Sequence, residues 1–289
     1  MAAQLIAVVT GRSRGAGKGI AQGLAAKGVK VFITGRSENT ATATLRGELL
    51  QGTLSQTVEE IRDAGGDAIA VTCDHSDDQQ TAAVFERVKD EAGHIDILVN
   101  NAAAVHENLI DPGPFWEKPI ELVDILSVGL RSAYVASYHA APMMVARGSG
   151  LIVFTSSFGG VCYMHGPAYG AQKAGVDKFA ADMAVDFEGT GVAAASLWLG
   201  PQRTERTDIV LKHRGEQYDD FMALAETPQF NGRVIHALSQ DPALAEKSGQ
   251  TLITAELAVE YGLDDEGRQP PSYREHLGAP RIPHPARVI

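Results

Sequence analysis

The fold turns on the stretch Leu5-Ile6-Ala7-Val8-Val9-Thr10-Gly11-Arg12-Ser13-Arg14-Gly15-Ala16-Gly17. Five apolar residues lead into a glycine turn, and beyond it Ile20, Ala21, Leu24 and Ala25 recur at helical spacing, so the order is strand, turn, helix. Glycines let the backbone turn sharply and come close to a pyrophosphate, while the unpaired amides at the start of the helix face its negative charge. Such a turn also suits any α/β protein, so the stretch takes its meaning from the rest of the chain.

Downstream of the turn, strand and helix alternate. Apolar runs at 29–33, 68–72, 95–99, 151–154, 192–199 and 250–253 read as further strands, and helical patterns at 54–64, 77–91, 121–147, 168–188 and 229–239 fall between or after them. The run at 151–154 is continuously apolar, as a strand buried on both faces should be. This predicts a single domain with a doubly wound parallel sheet of about seven strands and helices on both faces. Residues 38–53 read as a long surface excursion, 202–230 as a polar, lid-like insertion, and 264–289, with five prolines, as an extended tail without regular structure.

The chain has 289 residues, 44% hydrophobic and 21% charged, with a net charge of -11. The acidic balance argues against nucleic acid or an anionic membrane as a partner. Cys73 and Cys162 form neither a CxxC pair nor a disulfide framework, no run of about 18 apolar residues offers a membrane span, and no signal peptide is recognisable, so a cytoplasmic location is expected. Nine histidines without ligand spacing predict no metal site.

In such sheets ligands bind outside the carboxyl ends of the strands, where the polar residues of this chain collect. The chemistry lies in Tyr169-Gly170-Ala171-Gln172-Lys173, with Ser156 thirteen positions upstream of the tyrosine. Tyr169 and Lys173 are four apart on one helix face, so the ammonium can favour the phenolate and lower a phenol pKa of about 10. Ser156 can donate to a substrate oxygen on which charge develops.

Together the turn at 10–17, the strand end Asn100-Asn101-Ala102-Ala103, Ser156 and the YxxxK helix resemble the short-chain dehydrogenase/reductase family over about residues 4–255. The resemblance implies a Rossmann-type fold and hydride transfer between a nicotinamide and a carbonyl or alcohol carbon. It makes Ser156, Tyr169 and Lys173 the catalytic group, with Lys173 also binding the nicotinamide ribose. Around the phosphates it implies Thr10, Gly11, Ser13, Arg14, Gly15 and Gly17 as cofactor contacts. Asp74 matches an adenine-contacting aspartate, Asn100 an asparagine packed near the cofactor beside Ala102, and Thr204, after Gly200, a threonine that meets the carboxamide.

Gly35, Arg36 and Ser37 supply no acid for a ribose 2′-hydroxyl, whereas Arg36 and Arg14 can clamp a 2′-phosphate, so NADPH is expected over NADH and reduction over oxidation. Glycine stands at Gly129, where the family carries a helix asparagine, and an impaired or rearranged proton relay is the expected result. Leu199-Gly200-Pro201 replaces the usual Pro-Gly, and Ala103 replaces a glycine. The segment 128–131, with Phe115-Trp116-Glu117 before it, resembles the dehydrogenase/reductase member 1-like branch. The alternatives are an NAD-linked alcohol dehydrogenase and a cofactor-binding sensor or assembly protein with vestigial activity. His165 is expected at the substrate pocket, Cys162 as a small hydrophobe, and Phe221, Met222 and Leu224 as a lid or oligomer contact. The helices at 121–147 and 168–189 are expected to pair across a two-fold axis in a homodimer or homotetramer.

Overall fold

The computed structural model describes residues 4–11, 14–41 and 43–288, with the backbone alone at 214–221. In chain order the strands are β1 (Ile6–Val9), β2 (Lys30–Gly35), β3 (Thr44–Leu45), β4 (Glu48–Leu49), β5 (Asp67–Thr72), β6 (Ile97–Asn100), β7 (Gly150–Ser156), β8 (Val192–Trp198) and β9 (Thr251–Ile253). Seven of them form one parallel sheet in the order β5-β2-β1-β6-β7-β8-β9. Its central strands are buried on both faces, which is why they read as unbroken apolar runs.

Helices cover both faces. On one lie α1 (Gly15–Ala25), α2 (Leu54–Asp63), α7 (Pro228–Ser239) and α9 (Thr254–Glu260), packed through Ile20, Leu24, Ile61, Phe230 and Leu257 onto Val9, Val31, Val153 and Leu197. On the other lie α3 (Asp78–Ala92), α4 (Ser132–Arg147) and α5 (Pro167–Asp186), which bury Phe85, Met144 and Val176 against Val8, Leu98 and Phe154. Two buried layers on one sheet make the doubly wound architecture that the alternation implied.

Three segments depart from the sequence reading. The helix expected over 121–147 is broken: Val128 (φ −108°, ψ 92°) and Gly129 (φ 147°, ψ −41°) leave helical geometry, and regular helix resumes only at α4. A φ of 147° strains any residue with a side chain, so glycine is what permits the break. The excursion at 38–53 contains the antiparallel β3–β4 hairpin, whose Leu45, with neighbouring Leu50, buries against Ile209 of α6 (Glu205–Ala223). The tail holds one short helix, α10 (Arg274–Leu277), and packs Tyr273 and Leu277 onto the cluster of Phe158 and Trp198. Among the described residues, no helix is long and apolar enough to cross a membrane.

Candidate active site

A cavity of about 510 Å³ opens beyond the carboxyl ends of the strands, where the sheet order reverses between β1 and β6. Its first wall is the glycine turn. A Cβ on Gly17 would lie 2.4 Å from Asn101 Nδ2, and one on Gly11 would lie 2.4 Å from Ala102 Cα, so the turn and the end of β6 approach closely only because both positions are glycine. Asn101 Nδ2 donates to the Thr10 and Gly11 carbonyls, each at 3.0 Å, and Thr10 Oγ1 accepts from the Asn101 and Ala102 amides at 3.0 and 3.1 Å.

The Gly15 amide donates to Glu205 Oε2 at 3.0 Å, so the first turn of α1 already holds an anionic oxygen, and its chemistry fits a dinucleotide phosphate. Arg14 and Arg36 border the same end. Desolvation and then the charge of Arg36 pull the Arg14 pKa down, with Glu205 opposing them, so the two guanidiniums sense each other across this end of the cavity. Arg14 meanwhile donates to the Leu50 carbonyl at 2.9 Å. The nearest acid after β2, Glu38, accepts from Thr72 Oγ1 at 2.7 Å and is not part of the cavity wall. Asp74 borders the cavity with its carboxylate held by the Ser76 amide and hydroxyl at 3.0 and 2.8 Å.

At the other end the Tyr169 hydroxyl lies 2.9 Å from Ser157 Oγ. Lys173 Nζ is 5.3 Å from the Tyr169 ring centroid and donates to the Thr155 carbonyl at 3.2 Å. Desolvation pushes the Tyr169 phenol up, with the Ser157 hydrogen bond opposing it, and lowers the Lys173 ammonium to about 8, with Asp177 opposing that fall. The dominant influence on the tyrosine is therefore desolvation, where the sequence reading had the lysine's charge. His165 stands edge-on to Tyr169, ring centroids 5.1 Å apart, and borders a smaller cavity of about 210 Å³ with Lys118 and Tyr163.

The structure brings Gly11, Arg14, Gly15, Gly17, Arg36, Asp74, Ala102, Tyr169, Lys173, Gly200 and Thr204 to the cavity. Ser13 lies outside the described residues. Three expected contacts sit differently in the structure. Ser156 is on the cavity wall, but its hydroxyl donates to the Lys173 carbonyl at 3.3 Å, and the neighbouring Ser157 faces Tyr169. Successive side chains of an extended strand point to opposite sides, so a slip of one residue exchanges the two serines. Asn100 turns away from the cavity and donates to Ser137 Oγ at 3.0 Å, leaving Asn101 as the asparagine on it. Thr10 is buried beneath the turn and braces it from behind.

Sequence reasoning also missed Gln172, whose Nε2 donates to the Gly129 carbonyl at 2.9 Å. In this chain the carbonyl at the helix break is thus bonded to a side chain of the tyrosine's own helix. The offset of Ser157 was present in the tandem serines, but the Gln172 contact leaves no mark in spacing. Phe115 and Trp116 stack edge-on at 5.4 Å and stand 61% and 72% exposed, so they are neither core nor wall of the main cavity. Cys162 is half-buried against the Phe158 and Trp198 cluster, Leu224 is exposed, and the Phe221 side chain lies outside what is described. No group of three or more potential metal ligands occurs among the described residues.

A profile of the family described as short chain dehydrogenase matches residues 5–214. Dehydrogenase/reductase SDR family member 1 of Homo sapiens is 36% identical over 276 residues, covering 92% of this chain and 84% of that protein. The 3-oxoacyl-acyl-carrier-protein reductase FabG of Escherichia coli is 32% identical over 203 residues, 70% of this chain and 75% of its own. Among solved structures, an actinorhodin polyketide ketoreductase variant with NADPH matches with a TM-score of 0.74 at 26% identity, covering 88% of this chain and 97% of that one.

Proposed function

The chain belongs to the short chain dehydrogenase family, on the branch of dehydrogenase/reductase SDR family member 1, and on that premise we propose that it is an NADPH-dependent reductase of ketones or aldehydes. Members of this family are NAD(P)-dependent oxidoreductases. The observation that carries the reading is one cavity with two ends: Ser157, Tyr169 and Lys173 at one, and Arg14 with Arg36 at the other, where Gly35, Arg36 and Ser37 after β2 supply no acid.

When bound, the cofactor supplies the hydride. The phenol of Tyr169, kept protonated by desolvation, gives its proton to the carbonyl oxygen, and Ser157 donates a hydrogen bond to that same oxygen. Lys173, cationic below about pH 8, stabilises the phenolate left behind. Gly11, Gly15, Gly17 and Asn101 shape the phosphate cradle, and Thr204 stands at the carboxamide end. Arg14 and Arg36 select the 2′-phosphate, because a guanidinium binds it through paired donors. The ketoreductase above carries NADPH in its structure, which supports this choice. Two copies pair through α4 and α5, where Tyr134, Tyr138 and Val185 are exposed.

The test is a fluorescence titration with NADPH and NADH, followed by NADPH oxidation with a panel of aldehydes, ketones and quinones. Turnover that Tyr169→Phe abolishes supports the reading. NADPH binding without turnover of any carbonyl, or turnover indifferent to Tyr169→Phe, would overturn it in favour of a cofactor-binding protein. Preference for NADH and an alcohol would favour the dehydrogenase.

A further inference from the structure

Tyr169, Lys173 and Asp177 succeed one another at intervals of four on one face of α5. Asp177 has no part in the reaction described above, yet it is clamped. Its Oδ1 accepts from Ser196 Oγ at 2.6 Å and from Trp198 Nε1 at 3.2 Å, and its Oδ2 accepts from the same indole at 3.0 Å. The Ser156 hydroxyl, which donates to the Lys173 carbonyl, lies close enough to favour the charged carboxylate as well. Ser196 and Trp198 are fully buried and both lie on β8, so the sheet fixes the carboxylate from below.

An indole N–H and a hydroxyl could be satisfied by a neutral amide. A carboxylate in a desolvated place is favoured only where an opposite charge answers it. That charge is Lys173. Lys173 stands one turn before Asp177 on the same face of α5, and each opposes the neutralisation of the other. The remaining titratable groups near them are Tyr169 on the same helix and, facing Tyr169 from the loop after β7, Cys162 and His165.

We propose that Asp177 is a positioning residue that keeps Lys173 cationic beside Tyr169, its own carboxylate held in place by Ser196 and Trp198. The proposal rests on the reading of Tyr169 and Lys173 as the proton-transfer pair. Desolvation alone drives Lys173 toward the neutral amine and Asp177 toward the neutral acid, and each charge opposes the other's shift. A neutral lysine would leave the phenolate of Tyr169 without a counter-charge.

The experiment is a pH titration of the Lys173 side chain by NMR in protein labelled with [ε-13C]lysine, the signal assigned by its absence in Lys173→Met. Asp177→Asn should lower the Lys173 midpoint by about one pH unit, a tenfold loss of proton affinity, and move the alkaline limb of NADPH-dependent carbonyl reduction down with it. A variant that loses thermal stability while Lys173 titrates where it does in the wild type would overturn the proposal. If Asp177→Asn does not fold, coupling is reciprocal and Lys173→Met reads the same interaction. In [γ-13C]aspartate spectra the Asp177 carboxyl should then bind its proton about tenfold more tightly, and an unmoved Asp177 would overturn the proposal equally. The NMR readouts need no turnover, so absence of reductase activity refutes the functional reading without touching this one.

Discussion

Replacing Glu226 by glutamine should remove a pH dependence from the stability of the protein. Glu226 is 1% exposed, at the base of the segment that carries α6. Its Oε2 accepts from Gln202 Nε2 at 2.7 Å and from the Gly200 amide and Asn231 Nδ2 at 3.2 Å each, and its Oε1 is buried without a partner. Burial pushes the carboxyl up to about 7 from 4.5, against the pull of these donors and with Asp265 adding to it. A pKa raised by folding contributes stability that is complete below the unfolded value near 4.5 and is lost as pH rises through about 7. The difference of about 2.5 in pKa, at about 1.36 kcal/mol each, amounts to about 3 kcal/mol lost between pH 4.5 and 8. In a chain of this size that is about 6–10 °C in Tm. Glu226→Gln carries no titrating group, and its amide at the Oε1 position adds a penalty of about 1–3 kcal/mol that is the same at every pH. Urea or thermal unfolding of both proteins from pH 4.5 to 8 therefore reads the slope: the wild type should lose about 3 kcal/mol relative to the variant. An offset constant to within about 0.5 kcal/mol would refute the reasoning.

The site carries further expectations. Ser157→Ala should lower kcat by about a hundredfold or more, while Ser156→Ala retains most of it in steady-state NADPH oxidation; the reverse order would restore Ser156 to the substrate. Arg36→Asp should weaken NADPH at least about tenfold in fluorescence titrations and leave NADH nearly unchanged, and equal losses would free Arg36 from the 2′-phosphate. Gly129→Ala forces a side chain onto a φ of 147° and should destabilise by about 1–3 kcal/mol in urea unfolding; an unchanged midpoint would mean the break tolerates it.

Much of the fold is legible because burial on both faces leaves a plain mark. Val8, Val99 and Val153 sit in runs that nothing but a covered strand explains, and the glycine turn with the YxxxK helix fixes which end of the sheet carries the cavity. What stays hidden depends on partners distant in sequence. The β3–β4 hairpin has two residues per strand, too few for a period, and exists because Leu45 and Leu50 find Ile209 some 160 residues away. Asp177 and Glu226 leave no mark in spacing, and only the arrival of Trp198 and of Gly200 beside them turns them into desolvated carboxylates. The exchange of Ser156 and Ser157 is subtler: period two assigns alternate faces but not which face is which, and the register is settled only where β7 ends.

These distant contacts converge on the cofactor end. Leu45 and Leu50 pack against Ile209, Glu48 pairs with Lys212 and His213 of α6 at 2.8 and 3.1 Å, and Arg14 donates to the Leu50 carbonyl, so the hairpin, α6 and the glycine turn form one roof over the arginine side of the cavity. The exposed ion pairs add little, and the apolar contact holds the roof. Glu205, at the first position of α6, fastens the same roof to the Gly15 amide. One N–H donates well to one anion, so a phosphate oxygen at Gly15 and the carboxylate of Glu205 compete for a single donor. A phosphate oxygen bound at Gly15 would therefore have to displace Glu205, the first residue of α6, from that amide.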